Sequence, residues 1–127
     1  MILTTAAATC LALNVYWEAR NQDIDGQILV AEVTMNRVYD KKFPDEICDV
    51  VWQDKAFSWT HDGKSDEPKN IKAYLKAQII ANKVILNGCD ICTDATHYHT
   101  TNSHPYWANK LKLIGQWGGH KFYINEK

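Results

Sequence analysis

The residues best placed to do chemistry lie in two short stretches, one around a glutamate and one around paired cysteines and histidines. In Tyr16-Trp17-Glu18-Ala19-Arg20 a carboxyl group stands beside two aromatic rings. Partial burial against such surface keeps a carboxylic acid protonated near neutral pH, as needed to donate a proton to a leaving oxygen. The same residues also fit a surface glutamate near a helix end paired with Arg20 or a lysine, and pattern alone leaves both readings open. The second stretch, Cys89-Asp90-Ile91-Cys92 followed by His97, His99 and His104, offers ligands of the kind zinc prefers. A lone CxxC fits structural zinc, a local disulfide or free thiols. Catalytic zinc is disfavoured because no activating glutamate stands beside these histidines. Metalloprotease, nucleophile-elbow and dinucleotide motifs are absent. Gly63-Lys64-Ser65 fails as a phosphate loop, because Ser58 occupies the place of the required second glycine.

Helices must carry most of these groups. Ala8, Leu11, Ala12, Val15 and Ala19 recur at helical spacing from Thr5 to about Arg20, with Thr4 or Thr5 as cap. Glu18 falls on the edge of that stripe, where buried surface meets a cleft. Asp23 and Asp25 are expected caps for a helix from Gln27 to about Tyr39 that is apolar nearly all round and therefore central. Phe43-Pro44-Asp45 breaks the chain and caps a short helix through Ile47, Val50 and Val51. After an exposed loop at 62–68, Ile71, Tyr74, Leu75, Ile79 and Ile85 trace a third long helix ending at Gly88. Ala95 to Thr100 reads as extended, and Pro105 starts a helical piece through Leu111. Leu113–Trp117 and His120–Ile124 flank Gly118-Gly119 as a hairpin. The expected fold is α+β, mainly helical, a single domain over residues 1–127 with a small C-terminal β-hairpin.

Composition narrows the partners. The 127 residues carry a formal net charge of −1, so the broad positive field that draws proteins to nucleic acid is missing. Residues 1–68 hold twelve acids against six bases, and residues 69–127 three acids against eight lysines; one side thus suits an anionic polymer, unless the lysines are ordinary solvated helix faces. The apolar start from Met1 to Ala8 lacks the basic segment of a signal peptide, and no apolar run is long enough to span a bilayer.

Read in order, Leu13-Asn14-Val15-Tyr16-Trp17-Glu18-Ala19-Arg20, Gly26-Gln27, Val33-Thr34-Met35-Asn36-Arg37-Val38, Phe43-Pro44, Cys48-Asp49-Val50-Val51, Phe57-Ser58-Trp59, Ala95-Thr96-His97-Tyr98-His99, Pro105-Tyr106-Trp107-Ala108 and Gly119-His120-Lys121-Phe122-Tyr123 resemble segments of the SleB-type cell wall hydrolase family. The resemblance runs from about Leu11 to Tyr123. It implies a lysozyme-like or lytic-transglycosylase-like domain that cuts peptidoglycan between N-acetylmuramic acid and N-acetylglucosamine, with Glu18 as catalytic acid. Phe57, Ser58, Trp59, His97, Tyr98, His120 and Tyr123 are the expected contacts to the glycan strand, with flat faces and hydrogen-bonding groups for sugars; Trp107 and Trp117 are expected in the core. Ordinary hydrolysis needs a second carboxylate. Asp23 and Asp25 read as caps and Glu32 lies in the buried helix, so a single-glutamate transglycosylase is preferred. Arg37 can orient a carboxylate or tether helix to loop.

No cofactor and no metal is expected. The CxxC resembles a variable insertion relative to the family pattern, so free thiols are expected there. The leaderless domain is more similar to phage lysis proteins than to spore-cortex enzymes. That implies a monomer made in the host cytoplasm, without membrane insertion, acting on the wall after release. Two other classes remain: a zinc-dependent wall amidase using His97, His99 and a cysteine, and a noncatalytic wall-binding or virion structural domain.

Overall fold

The computed structural model describes residues 3–125, so Met1-Ile2 at the apolar start lie outside the described residues. Helix α1 (Thr5–Ala19) begins where the Thr4 hydroxyl accepts the Ala7 amide at 3.0 Å, satisfying one of the four amides a helix start leaves unpaired. Helix α2 (Ile24–Tyr39) begins three residues before the expected Gln27, because Asp23 caps it by accepting the Gly26 amide at 2.9 Å; Asp25 is inside the first turn and is not a cap. Helix α3 (Ile47–Val51) starts after Glu46 with no side-chain cap, so Asp45 does not play the expected part. Helix α4 (Ile71–Asn87) is capped by Asn70 and ended by Gly88 at φ +76°, a backbone conformation that glycine adopts without a Cβ clash.

The α4 apolar stripe is not the one its large residues suggested. Ala77, Ile80, Ala81 and Val84 are buried, whereas Ile71, Leu75 and Ile79 are exposed by 74%, 52% and 68%. The small alanines let α4 lie close against α1 and α2, and that close approach selects the face. Leu11, Val15, Val30, Val50 and Val51, all fully buried, share the helical core with Tyr16 and Trp59. Each such side chain contributes on the order of 2 kcal/mol by leaving water.

The C-terminal third forms a three-stranded antiparallel sheet, β1 (His97–Thr100), β2 (Lys112–Trp117) and β3 (His120–Ile124), in the order β1-β3-β2. The hairpin is as expected, but the Ala95–Thr100 segment joins it as a third strand. Gly118 turns the hairpin at φ +58° and stands so close to Gln22 that an added Cβ would meet its Oε1 at 2.6 Å. The next amide, of Gly119, donates to that Oε1 at 3.0 Å. The piece after Pro105 is a single 3-10 turn, Tyr106–Asn109. A second small core of Leu29, Val33, Ala95 and Phe122 joins α2 to the sheet.

Cys10 is bonded to Cys48 and Cys89 to Cys92, so the free-thiol expectation for the CxxC is corrected. Three of the four residues of that short loop are held from below. Glu32, buried in α2, accepts the amides of Asp90, Ile91 and Cys92 at 2.7 to 2.9 Å, and its hydrogen-bonding is thereby devoted to a turn.

Candidate active site

Glu18 is the penultimate residue of α1, partly exposed at the end of the helix. Its Oε1 accepts a 2.6 Å hydrogen bond from the Tyr98 hydroxyl of β1, a distance typical of an O–H donor on a carboxylate. Eighty residues of chain separate the two, so α2 must position one against the other. It does so through adjacent side chains. The Asn36 amide donates to the Thr93 and Ala95 carbonyls at 3.0 and 2.8 Å, and Arg37 Nε donates to the Thr96 carbonyl at 2.8 Å. Arg37 thus tethers helix to loop as considered for it, and its buried charge also pulls down the Glu18 pKa. Its guanidinium lies 5.0 Å from the Phe43 ring centre and 5.2 Å from that of Phe57, within cation–π range.

Competing influences set the state of Glu18. Burial raises its pKa above the usual carboxylate value; the Tyr98 hydrogen bond and the Arg37 charge pull it back, and burial wins. The phenol of Tyr98 is pushed well up by burial, by the neighbouring carboxylate charge and by the hydrogen bond it gives, so it stays a donor. Arg37 is lowered by burial and sustained by Tyr98 and Glu18.

Three of the residues expected at the glycan contact gather at this point. Tyr98 stacks on Phe57 with ring centres 6.4 Å apart and meets His120 edge-on at 5.2 Å. His120 is buried, and its Nδ1 has no hydrogen-bond partner among the described residues; burial first, then the His99 charge, lowers its pKa. Phe57 is only 3% exposed, so it supports Tyr98 from beneath and is not a flat platform for a sugar. Ser58 is exposed at the start of the 3-10 turn Ser58–His61. Trp59 is 5% exposed and donates through Nε1 to Asn14 Oδ1 at 2.8 Å, and Asn14 in turn donates to Thr34. Its remaining surface borders an opening of about 250 Å³ at the end of α1, with Trp17, Arg20, Asp62, Lys64 and Asp66.

His97 and Tyr123 do not join them. They are paired across β1 and β3, and neighbouring strand residues point to opposite faces, so they share the face away from Tyr98. There His97 packs 5.1 Å from Trp107 and 6.1 Å from Phe43, and Tyr123 gives its hydroxyl to a 2.8 Å hydrogen bond with His99 Nε2. Burial, reinforced by Arg37 and opposed by Asp40, lowers the His97 pKa to about 4. Trp107 is half-buried in this aromatic layer, while Trp117 packs edge-on to Phe122 at 5.7 Å.

Sequence reasoning missed the Tyr98–Glu18 contact, the Glu32 cradle and the Cys10–Cys48 disulfide, and set free thiols above the Cys89–Cys92 disulfide. The period-two pattern in His97-Tyr98-His99 did carry a usable signal, because it separates Tyr98 from the flanking histidines. With both sulfurs bonded to each other, Cys89 and Cys92 present no thiolate for zinc, and among the described residues no group of three or more His, Cys, Asp and Glu could hold a metal ion. No helix of the described residues is long and apolar enough to cross a membrane.

Residues 21–123 match the family model described as Cell Wall Hydrolase; Glu18 lies three positions before that span. A spore cortex-lytic enzyme of Oceanobacillus iheyensis is 34% identical over 110 residues, which are 84% of this chain and 38% of that protein. Its counterpart in Bacillus subtilis is 30% identical over 113 residues, 84% of this chain and 34% of that protein. The chain therefore spans well under half the length of these curated relatives. Among solved structures, the catalytic domain of the germination-specific lytic transglycosylase SleB from Bacillus anthracis is similar with a TM-score of 0.81 and 26% identity, covering 96% of this chain and 97% of that one. The Bacillus cereus SleB catalytic domain is similar with a TM-score of 0.74 and 25% identity, covering 98% and 94%.

Proposed function

This chain belongs to the cell wall hydrolase family, and from that premise we propose that it is a peptidoglycan glycosidase working as a lytic transglycosylase, with Glu18 as its single catalytic carboxylate. The observation that carries the proposal is a carboxyl group whose pKa is raised by burial and whose one oxygen is held by Tyr98. Protonated Glu18 donates its proton to the oxygen between N-acetylmuramic acid and N-acetylglucosamine, and the bond from that oxygen to the muramic anomeric carbon breaks. The resulting carboxylate, steadied by Arg37 and the Tyr98 hydroxyl, takes the proton of the muramic 6-hydroxyl as its oxygen attacks the anomeric carbon. A 1,6-anhydro ring closes, and Glu18 is protonated again.

What favours this over two-carboxylate hydrolysis is the set of groups acting on Glu18. They are Tyr98, which donates to Glu18, and Arg37, whose charge lowers its pKa. Asp23 is a cap, and Glu32 holds the 90–92 turn. Tyr98 is the expected contact beside Glu18, with buried His120 packed behind it; the exposed Ser58 hydroxyl would meet the strand farther along, and His97 and Tyr123 only if it also follows the opposite face of the sheet. An endolysin-like setting, with a monomer made in the host cytoplasm and reaching the wall after release, is part of the same proposal. It predicts lysis on external addition to cells with exposed wall, and none from cytoplasmic production until the membrane is permeabilised.

Mass spectrometry of soluble fragments from purified peptidoglycan, digested with wild type and with Glu18→Gln, tests the chemistry. Anhydro-muramyl ends that vanish in the variant are expected, with a rate loss of at least about a thousandfold, since both proton transfers depend on one group. Reducing ends would replace transglycosylation by hydrolysis and require a second carboxylate, Asp62 and Asp66 being those that border the end of α1. Fragments unchanged in the variant would remove Glu18 from the mechanism. Binding to sacculi without any fragments would make the domain noncatalytic.

A further inference from the structure

The outer face of α4 has no partner in the fold, although it is more apolar than a solvated helix face needs to be. Ile71, Leu75, Ile79 and Leu86 are exposed by 74%, 52%, 68% and 78%. At about 100° per residue these four lie within a sector of roughly 80° along ~22 Å of helix, with exposed Asn82 in the same sector between Ile79 and Leu86. Lys72, Lys76 and Lys83 fill the adjoining sector of roughly 40°, and all three are exposed. The helix contains no acidic residue. Lys83 lies 4.0 Å from Asp90 on the following loop, and that pair is half-exposed. A scattered exposed leucine is ordinary, but four large aliphatic side chains aligned on one helix face and edged by one sign of charge mark a contact surface.

From this juxtaposition we infer that the outer face of α4 docks on the surface of an anionic lipid bilayer. The lysines meet the headgroup charge while the four aliphatic side chains enter the boundary between headgroups and acyl chains. Charge complementarity selects the occupant. A second copy laid face to face would set lysine ridge near lysine ridge. A purely anionic wall polymer would answer the lysines and leave the aliphatic ridge wet. Docking of this kind places a helix in the interface plane and is compatible with the lack of a membrane-crossing helix among the described residues. The buried face of α4, with Ala77, Ala81 and Val84, points to the helical core. Glu18 and Tyr98 are not part of the docking ridge, so glycan cleavage and membrane docking are separable.

The test is co-sedimentation of the full chain with vesicles of phosphatidylcholine alone and of phosphatidylcholine mixed with phosphatidylglycerol, at low and high salt. The variants are Leu75→Ser with Ile79→Ser, and Lys72→Gln with Lys76→Gln. Binding to the phosphatidylglycerol vesicles that high salt weakens is expected. Loss of two lysines should reduce it about thirtyfold, at about 1 kcal/mol for each lysine near the surface, and the serine pair should reduce it as well. Both variants replace exposed residues, so unchanged circular dichroism and unchanged release of soluble peptidoglycan fragments are expected. Failure to sediment with either vesicle overturns the inference. So does binding to both vesicles alike and indifferent to salt, or self-association of the wild type that the serine pair abolishes without any vesicle binding.

Discussion

The helical part and the sheet part of this molecule are held together by different physics. The helices share an aliphatic core around α2, in which Leu11, Val15, Val30, Val50 and Val51 are fully buried, and a disulfide links α1 to α3. The sheet has a small apolar core of four residues and is fastened to α2 mainly by directional polar contacts. Glu32 holds the amides of 90–92, Asn36 the carbonyls of Thr93 and Ala95, and Arg37 that of Thr96, while Gln22 between α1 and α2 takes the Gly119 amide. Glu18 belongs to the first part and Tyr98 to the second. Helix α2 is therefore the jig that sets one against the other, with Glu32 on one turn and Asn36 and Arg37 on the next gripping three successive pieces of the segment that leads into β1.

Perturbing each fastening separates the two parts. The largest effect is expected in the helical one. Replacing both Cys10 and Cys48 with serine opens a loop with a sequence separation of 38 and should cost about 4 kcal/mol by chain entropy; the same change at Cys89 and Cys92, with a separation of 3, should cost about 2 kcal/mol. Denaturant unfolding under oxidising conditions checks the difference, and equal losses would contradict the loop-length account. Glu32→Gln presents an amide nitrogen where a carboxylate oxygen accepts backbone amides. It should lower stability by about 2 kcal/mol and reduce fragment release by displacing Tyr98, and the weakened Tyr98 hydrogen bond should let the Glu18 pKa rise further. Full activity at full occupancy of the folded state would show that the 90–92 turn does not position the site.

The smallest effect is a gain. Because folding raises the pKa of Glu18, the folded state binds its proton more tightly than the unfolded chain does. Stability is lost as pH rises from the ordinary carboxylate value through the folded one. Glu18→Gln removes that loss, so its melting temperature should exceed that of wild type near neutral pH, and the advantage should disappear below the ordinary carboxylate pKa. An advantage of the same size at every pH would mean that the gain has nothing to do with ionisation.

The two parts also differ in how much of them was legible in the residues. The capping threonine and aspartate, the all-round apolar α2 and the Gly118-Gly119 hairpin each express a local rule, and each was readable; the Asn70 cap was not. The face of α4 was not, because burial there is decided by how closely alanines allow two helices to approach and not by which side chains are largest. Nor were the disulfides, since Cys10 and Cys48 meet only after α1 and α3 pack. For the site, Glu18 was visible through its aromatic neighbours and the resemblance carried by Tyr16-Trp17-Glu18-Ala19-Arg20. Tyr98 was visible as an aromatic near it, but not as its hydrogen-bond donor. Phe57 and Trp59 illustrate the limit: an aromatic that supports a site and one that faces a ligand have the same letters in the sequence.

The dependence of glycan cleavage on pH in wild type and Tyr98→Phe bears most directly on the claim that an acid from the helices is tuned by a donor from the sheet. Wild-type activity should fall as pH rises through the raised pKa of Glu18, because the proton to be donated is then lost. In Tyr98→Phe the hydrogen bond that favours the carboxylate is gone, so that alkaline limb should move to higher pH while the maximal rate drops roughly tenfold from poorer positioning. An alkaline limb that stays in place, or activity in wild type that never declines on that side, would contradict the account.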